Sequence, residues 1–446
     1  MKKIRQWFAG LKTIQKVVLG FAVVILTGAI LLTLPIAAQS GRSVGFGNAL
    51  FTSTSAVCVT GLVVVDTGTT YTLFGQIVIL LLIQTGGLGW MTLATLLFMA
   101  VKKRIHLRDR MIIAESLGSD SLAGLVKLVI MAAKVAFTVE IIGALLLMTQ
   151  FIPQFGFAKG LYMSIFHSVS AFCNAGFDII GNFRSMTPYL TNPVISLTIC
   201  LLIIVGGMGF AVVHELVTRK KGQRLSLHAR IVVIMTSVLV IGGMIAFTLM
   251  EWNNPATMAG LSAPNKIMAG FFQSVTTRTA GFNTIGQASM QSGSKFLSMI
   301  LMFIGASPAS TGGGIKTTTF FCLLFITASI VSGCGETSVF KRRLPRELVR
   351  KVGAIITLAL GLVITATFII AALQPQIPVD AVMYDAVSAF GTVGLSYGIT
   401  PHLATIPKMV IALLMFVGRV GPLSLTMALA HERDDCVRYP EGHIIV

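Results

Sequence analysis

Val59-Thr60-Gly61-Leu62, Asn174-Ala175-Gly176-Phe177, Thr279-Ala280-Gly281-Phe282 and Thr392-Val393-Gly394-Leu395 share one pattern, and their glycines stand 115, 105 and 113 residues apart. Each follows a semi-apolar run of eight to twelve residues, over 46–56, 161–172, 267–277 and 383–390. Such a run cannot cross a hydrocarbon core of about 30 Å, which takes roughly 20 helical residues. A second echo comes 24 to 30 residues after each glycine: Gly86-Gly87-Leu88-Gly89, Gly206-Gly207-Met208-Gly209, Gly305-Ala306-Ser307 and Gly418-Arg419-Val420-Gly421. Two markers that recur four times in one order define a duplicated module.

The rest of the chain places that module in a membrane. Of 446 residues, 54% are hydrophobic and only 11% charged, and the mean hydropathy of +0.86 leaves too little charge to cover a soluble globule. Uncharged runs cover 17–38, 73–101, 194–213, 231–250, 296–305, 317–331, 352–373 and 410–418; a further run, 128–149, contains Lys134 and Glu140. Taking 296–331 as one interrupted span gives eight crossings. The net charge of +18 is a matter of topology: 23 Lys and Arg fall in the termini and in the connections after the second, fourth and sixth spans, and only seven in the others. The positive-inside rule therefore expects both termini in the cytoplasm. The first apolar run lacks an AxA-type cleavage site and reads as a spanning helix. The six cysteines, Cys58, Cys173, Cys200, Cys322, Cys334 and Cys436, form no CxxC pair and are expected as free thiols.

Each module thus reads as helix, half-helix with a non-helical return, helix. Two full crossings bring its ends to the same side, so the copies are parallel and surround a pseudo-fourfold axis. Non-helical backbone at membrane depth survives only inside protein or beside water. Four returns around one axis would form a ring of carbonyl oxygens able to replace a cation's hydration shell, with glycine supplying the positive φ. The half-helices would aim their negative C-terminal ends at it. Any one loop alone reads equally well as a packing turn; the fourfold recurrence favours the ring.

On these four loops and the interrupted sixth span, nearly the whole chain resembles the Trk/Ktr/HKT superfamily of potassium transporters, most closely its KtrB-type ion-translocating subunits. The resemblance implies an all-α polytopic membrane protein with four parallel K⁺-channel-like repeats, each an outer, a pore and an inner helix: eight spanning helices plus four re-entrant pore helices. The expected boundaries are a cytoplasmic N-terminus 1–16, repeats 17–101, 128–218, 229–331 (broken at 305–316) and 349–430, and a cytoplasmic tail 431–446. Val59, Thr60, Gly61, Asn174, Ala175, Gly176, Thr279, Ala280, Gly281, Thr392, Val393 and Gly394 become the selectivity filter, with K⁺ at the ring of Gly61, Gly176, Gly281 and Gly394. Against the channel filter TVGYG only the last loop keeps three letters, and Val63, Asp178, Asn283 and Ser396 replace the outer glycine. One well-formed site, weaker K⁺/Na⁺ discrimination and a possible role for Na⁺ are expected. Asp178 either concentrates cations at the mouth or is a solvated rim residue.

Between two half-length apolar helices lies Gly305-Ala306-Ser307-Pro308-Ala309-Ser310-Thr311-Gly312-Gly313-Gly314-Ile315-Lys316. Pro308 removes a helical donor and three successive glycines favour an irregular backbone. The resemblance makes this segment the intramembrane gate below the filter; the alternative is a kinked packing helix. Lys316 either points at the axis or snorkels to the cytoplasm. Arg419, 25 residues after Gly394, lies at nearly the depth of Gly305 in the last span, where a charge requires an interior partner. It is expected either to bond the gate loop or to make a structural interhelical bond. Lys134 and Glu140, six apart, share no helical face.

The chain has neither a GxGxxG nor a GxxxxGK[ST] motif, and its histidines form no HExxH or triad-like set, so neither an ATPase nor an enzyme is expected and no nucleotide site is assigned. The resemblance implies a homodimer and a cytoplasmic, nucleotide-binding RCK ring of the KtrA kind, for which the basic loops and tail are docking candidates; those charges otherwise only orient the chain against anionic lipid. Gated, channel-like K⁺ uptake is the leading reading, and a Na⁺- or H⁺-coupled K⁺ symporter the rival.

Overall fold

Four helices carry the apolar length needed to span a bilayer, and each opens one set of three. The computed structural model describes residues 11–89, 92, 111, 125–219, 222–333, 337–340 and 342–429. Most of the expected N-terminal segment, the basic connection at 102–110, Cys334, Cys436 and the tail 431–446 lie outside these residues. In chain order the helices are α1 Thr13–Thr33, α2 Phe46–Val57, α3 Leu73–Leu88, α4 Leu125–Phe155, α5 Phe157–Phe172, α6 Pro193–Gly207, α7 Phe210–Thr218, α8 Leu227–Glu251, α9 Ala263–Thr276, α10 Ser292–Phe303, α11 Thr317–Val331, α12 Arg346–Leu373, α13 Val379–Gly391, α14 Thr405–Val420 and α15 Pro422–Leu429. The long apolar helices α1, α4, α8 and α12 are the outer helices, and α2, α5, α9 and α13 the short pore helices. A two-residue β-ribbon, β1 Ser338–Val339 against β2 Arg342–Arg343, joins α11 to α12.

The outer helices are apolar on the side turned away from the protein. Val23, Ile30, Ile141, Leu145, Val238, Ile241, Ile364 and Phe368 are all exposed, Phe368 to 73%, which suits lipid and would be costly in water. Toward the protein the helices approach closely, and three sets do so identically. A Cβ at Gly28, Gly143 or Gly243 would collide with Ser53, Ser168 or Ser274 of the set's own pore helix and with Leu82, Leu202 or Leu301 of its inner helix. Each serine donates to the carbonyl three residues before that glycine: Ile25, Glu140 and Val240. Glycine here lets serine and leucine side chains of the neighbouring helices pack directly on the outer-helix backbone, and such van der Waals packing is a main source of adhesion where lipid is as apolar as the protein. In the fourth set Ala386 stands at the serine's position.

The inner helices differ from expectation. The apolar runs 73–101 and 194–213 read as continuous spans, but α3 stops at Leu88, and α6 and α7 meet at a 103° bend. Gly89, Gly209 and Gly421 follow these helix ends with φ of 82°, 91° and 96°, the left-handed conformation in which glycine terminates a helix. The break expected only in the third repeat thus occurs at one level in all four, because hydropathy reports burial in lipid and is blind to chain direction. The starts of α3 and α6 are marked by polar caps: Thr72 Oγ1 accepts from Gly75 N, and Asn192 Oδ1 accepts from Val194 N and Ile195 N.

Candidate functional site

Each pore helix ends where its return loop begins, and the four loops close on one another. A Cβ on Gly61 would collide with the Ala175 carbonyl; one on Gly176 would lie 2.6 Å from Ala280 O, and one on Gly281 2.5 Å from Val393 O; one on Gly394 would collide with the Thr60 carbonyl. Every ring glycine thus faces the carbonyl preceding the next repeat's glycine, and the fourth returns to the first. The glycine φ angles are 91°, 68°, 85° and 95°. Two residues earlier, Val59, Asn174, Thr279 and Thr392 are also left-handed, at 57°, 59°, 65° and 50°. That conformation costs a side-chain-bearing residue roughly 1–2 kcal/mol, so its presence in all four loops marks a backbone held by its surroundings.

Hydroxyls on the pore helices do the holding. Ser55, Ser170, Thr276 and Ser388 accept through their carbonyls from Thr60, Ala175, Ala280 and Val393 N–H, over 2.8 to 3.0 Å. Ser55 and Ser388 Oγ also accept from Gly61 and Gly394 N–H, each at 3.1 Å, whereas Ser170 and Thr276 hydroxyls donate to Phe177 and Phe282 carbonyls. Sequence reasoning missed these four. Their signal is a hydroxyl six residues before the ring glycine, shifted to five in the third loop, which is one residue shorter. Ser388→Ala is expected to strand the Gly394 N–H and to lower stability by ~1–3 kcal/mol, read as a lower thermal unfolding midpoint.

Outward, the glycines line a cavity of about 380 Å³ together with Val63, Asp178, Asn283 and Ser396. None of those four adopts a positive φ, so the left-handed alternation stops at one ring. Burial pushes the half-buried Asp178 carboxyl up to about 6, opposed by the Ile180 N–H bond and reinforced by the charge of Asp66.

Directly inward lies the segment joining α10 to α11. Ile304 and Ile315 pair as a short parallel bridge, closing 305–314 into a loop. Gly313 N–H donates to Thr392 Oγ1 at 3.0 Å, and a Cβ on Gly312 would collide with Thr279 Oγ1, so the loop packs against the underside of the third and fourth return loops. Its other donors reach inner-helix ends. Ser307 N–H meets Gly207 O at 3.1 Å, Thr311 N–H meets Gly206 O at 3.2 Å, and Gly314 N–H meets Gly418 O at 3.2 Å. Ala309 O accepts from Phe210 N–H at 3.0 Å, and Pro308 O packs against Gly209. A helix that stops inside a membrane leaves orphan carbonyls; this loop satisfies those of α6.

Arg419 does the same for α3. Its guanidinium donates to Gly86 O, to Gly87 O at 3.4 Å and to Thr311 O of the loop. Lys316 Nζ donates to Gly312 O at 2.7 Å, so its charge stays on the loop and does not snorkel away. Of the two ionisable residues that interrupt the apolar run 128–149, Lys134 is exposed, while Glu140 accepts from Gln84 Nε2 of α3 at 3.0 and 3.2 Å. Cys58, Cys173, Cys200 and Cys322 are free and buried.

Re-entrant helices, a closed ring of four return loops and an irregular segment beneath it define a polytopic membrane protein with one loop motif repeated four times around an axis. Residues 6–439 match the family model of TrkH, cation transport protein, and the chain belongs to that family. It is 39% identical over 430 residues to Ktr system potassium uptake protein B of Bacillus subtilis, covering 96% of each chain. To potassium/sodium uptake protein NtpJ of Enterococcus hirae it is 38% identical over 443 residues, covering 98% of this chain and 97% of that one. The crystal structure of the potassium transporter TrkH from Vibrio parahaemolyticus superimposes with a TM-score of 0.75 at 18% identity, over 93% of this chain and 84% of the other, a likeness of fold. The family is one of transporters, and this chain is no enzyme.

Proposed function

We propose that the chain takes up potassium through a gated, channel-like pore driven by membrane potential, with the ring of Gly61, Gly176, Gly281 and Gly394 as its main cation site. The cyclic contact of each ring glycine with the next repeat's carbonyl carries this reading, because it gathers four backbone oxygens around one axis. Four helix C-termini converge on the same place, each worth up to ~2 kcal/mol to a cation in a partly buried setting. The names of these relatives, potassium uptake and potassium/sodium uptake proteins, support K⁺ as cargo with an influence of Na⁺.

The segment 305–316 with Arg419 is the gate. Its small residues bar the path beneath the ring, and the guanidinium adds a positive charge against any cation passing. A homodimer in the cell membrane, both termini cytoplasmic, with a nucleotide-binding RCK-type ring docked on its basic loops, completes the proposal; the relatives named as parts of a Ktr system support a multi-component assembly. Uptake of ⁸⁶Rb⁺ or K⁺ into proteoliposomes at graded inside-negative potentials tests the reading. Flux that rises with potential and needs no co-ion fits the pore, whereas a fixed Na⁺ or H⁺ stoichiometry would make the protein a symporter.

Asp178 contributes surface charge at the mouth. With its carboxyl raised to about 6, that charge is full above pH 7 and is lost as external pH falls through 6, well before an ordinary carboxylate would titrate. Uptake at sub-saturating K⁺ is expected to fall between external pH 7 and 5, and Asp178→Asn to start low and show a weaker dependence.

A further inference from the structure

One register of the pore helices carries a buried polar side chain in every repeat: Thr52, His167, Gln273 and Asp385, immediately before Ser53, Ser168, Ser274 and Ala386. The four do different things. Thr52 Oγ1 accepts from the Tyr71 hydroxyl at 3.3 Å, and Gln273 exchanges side-chain bonds with Gln287 at 2.8 and 3.1 Å. Neither touches the backbone beyond its ring glycine. His167 and Asp385 do, and at the same place.

Asp385 Oδ1 accepts from Tyr397 N–H at 2.7 Å, while Oδ2 accepts from Ser396 Oγ at 2.8 Å and Thr400 Oγ1 at 2.6 Å. His167 Nε2 accepts from Ile179 N–H at 3.4 Å. Tyr397 and Ile179 are each the third residue after their ring glycine, and each is bonded by the side chain 12 residues earlier. The imidazole has no freedom in this. Its Nδ1 lies 2.7 Å from the Met163 carbonyl, which can only accept, so Nδ1 carries the proton and Nε2 is the acceptor that Ile179 requires. Both side chains are fully buried, and they stand in the second and fourth repeats, on opposite sides of the axis.

We infer that His167 and Asp385 are a pair of positioning residues that hold the outer filter strands of opposite repeats and thereby set K⁺/Na⁺ discrimination. Two residues beyond the ring glycine the strands carry Val63, Asp178, Asn283 and Ser396 where a second glycine would stand, so their conformation there is not fixed by a left-handed alternation. It is fixed from behind instead, at two of four places. Ser396, which lines the mouth, is held by Asp385 directly. Loosening these strands lets the ring contract around the smaller, more strongly hydrated Na⁺ or widen, so that the preference for K⁺ falls while conduction continues.

The inference rests on the filter reading, and the experiment separates the two. K⁺ and Na⁺ uptake would be compared in proteoliposomes for the native chain, Asp385→Asn, His167→Leu, His167→Gln and Gly281→Ser, each checked for a native elution profile and thermal midpoint. Asp385→Asn and His167→Leu are expected to lower the K⁺/Na⁺ uptake ratio about tenfold, the order expected on losing a hydrogen bond that fixes a site, with K⁺ flux retained. His167→Gln, which can put an amide oxygen where Nε2 lies, is expected to keep most of the ratio; a merely space-filling role would not distinguish it from leucine. Should the first two variants fail to fold, Thr400→Val removes one donor from Asp385 at almost no change in volume and is expected to lower the ratio measurably. An unchanged ratio in folded Asp385→Asn and His167→Leu, or in Thr400→Val, overturns the inference. If Gly281→Ser also leaves uptake untouched, the filter reading itself has failed; if Gly281→Ser alone alters it, only the bracing role has.

Discussion

Gly281→Ser is expected to reduce K⁺ uptake at least about tenfold, or to shift it toward Na⁺, while the protein still inserts and folds. Two independent costs fall on that side chain. At a φ of 85° a residue with a Cβ is strained by roughly 1–2 kcal/mol. Its Cβ would also lie 2.5 Å from the Val393 carbonyl oxygen and 3.2 Å from the Cα atoms of Gly176 and Gly394, all of them backbone that cannot swing aside. The ring must give way, and the atom that moves first is one of the four oxygens proposed to hold the cation. A loss of ~1.4 kcal/mol in coordination is already tenfold in rate or affinity. Gly242→Ala is the matched control: it lies in α8 with no atom near its added Cβ and no positive φ, and native uptake is expected from it. Radiotracer uptake into proteoliposomes reads both variants.

Deleting residues 306–311 is expected to raise flux about tenfold or more without changing the preferred ion. The deletion cuts short the loop whose Gly312 and Gly313 lie beneath Thr279 and Thr392 and takes away the Thr311 carbonyl that accepts from Arg419, yet leaves every residue of the ring in place. Arg419→Gln is the smaller step in the same direction. It discards a positive charge and charge-assisted bonds to Gly86, Gly87 and Thr311, each such bond worth ~1.5–3 kcal/mol. A bias of that size shifts a closed-to-open balance by one to two orders of magnitude. Higher flux with an altered ion preference would mean that segment and ring are one site. Unchanged flux in a folded deletion would remove the gate from the account.

The sequence shows the ring more clearly than the scaffold that holds it. A glycine two residues after Val59, Asn174, Thr279 and Thr392 recurs behind a run too short to span, and that pattern survives because the ring tolerates no Cβ. The interruption at 305–316 is visible for a similar reason, since proline and three glycines stand out in an apolar chain. Arg419 is conspicuous through the cost of its charge. By contrast, the ends of α3 and α6 are hidden, because the apolar composition continues past Leu88 and Gly207, where the helices stop. Ser55, Ser170, Thr276 and Ser388 are hidden too: hydroxyls are common near helix ends, and a loop one residue shorter in the third repeat blurs their alignment. Glu140 shows a third limit. Its cost in a span is evident from sequence, but its partner Gln84 lies 56 residues away in another repeat, and only the folded chain brings them together.

Diffraction from crystals grown in Tl⁺ tests the central claim most directly, since Tl⁺ mimics K⁺ and scatters anomalously. The account predicts a peak on the axis among the carbonyl oxygens of Thr60, Ala175, Ala280 and Val393, at the level of the four ring glycines, and its loss when excess K⁺ is added. A protein that binds Tl⁺ only elsewhere, with no peak at that ring, would contradict it.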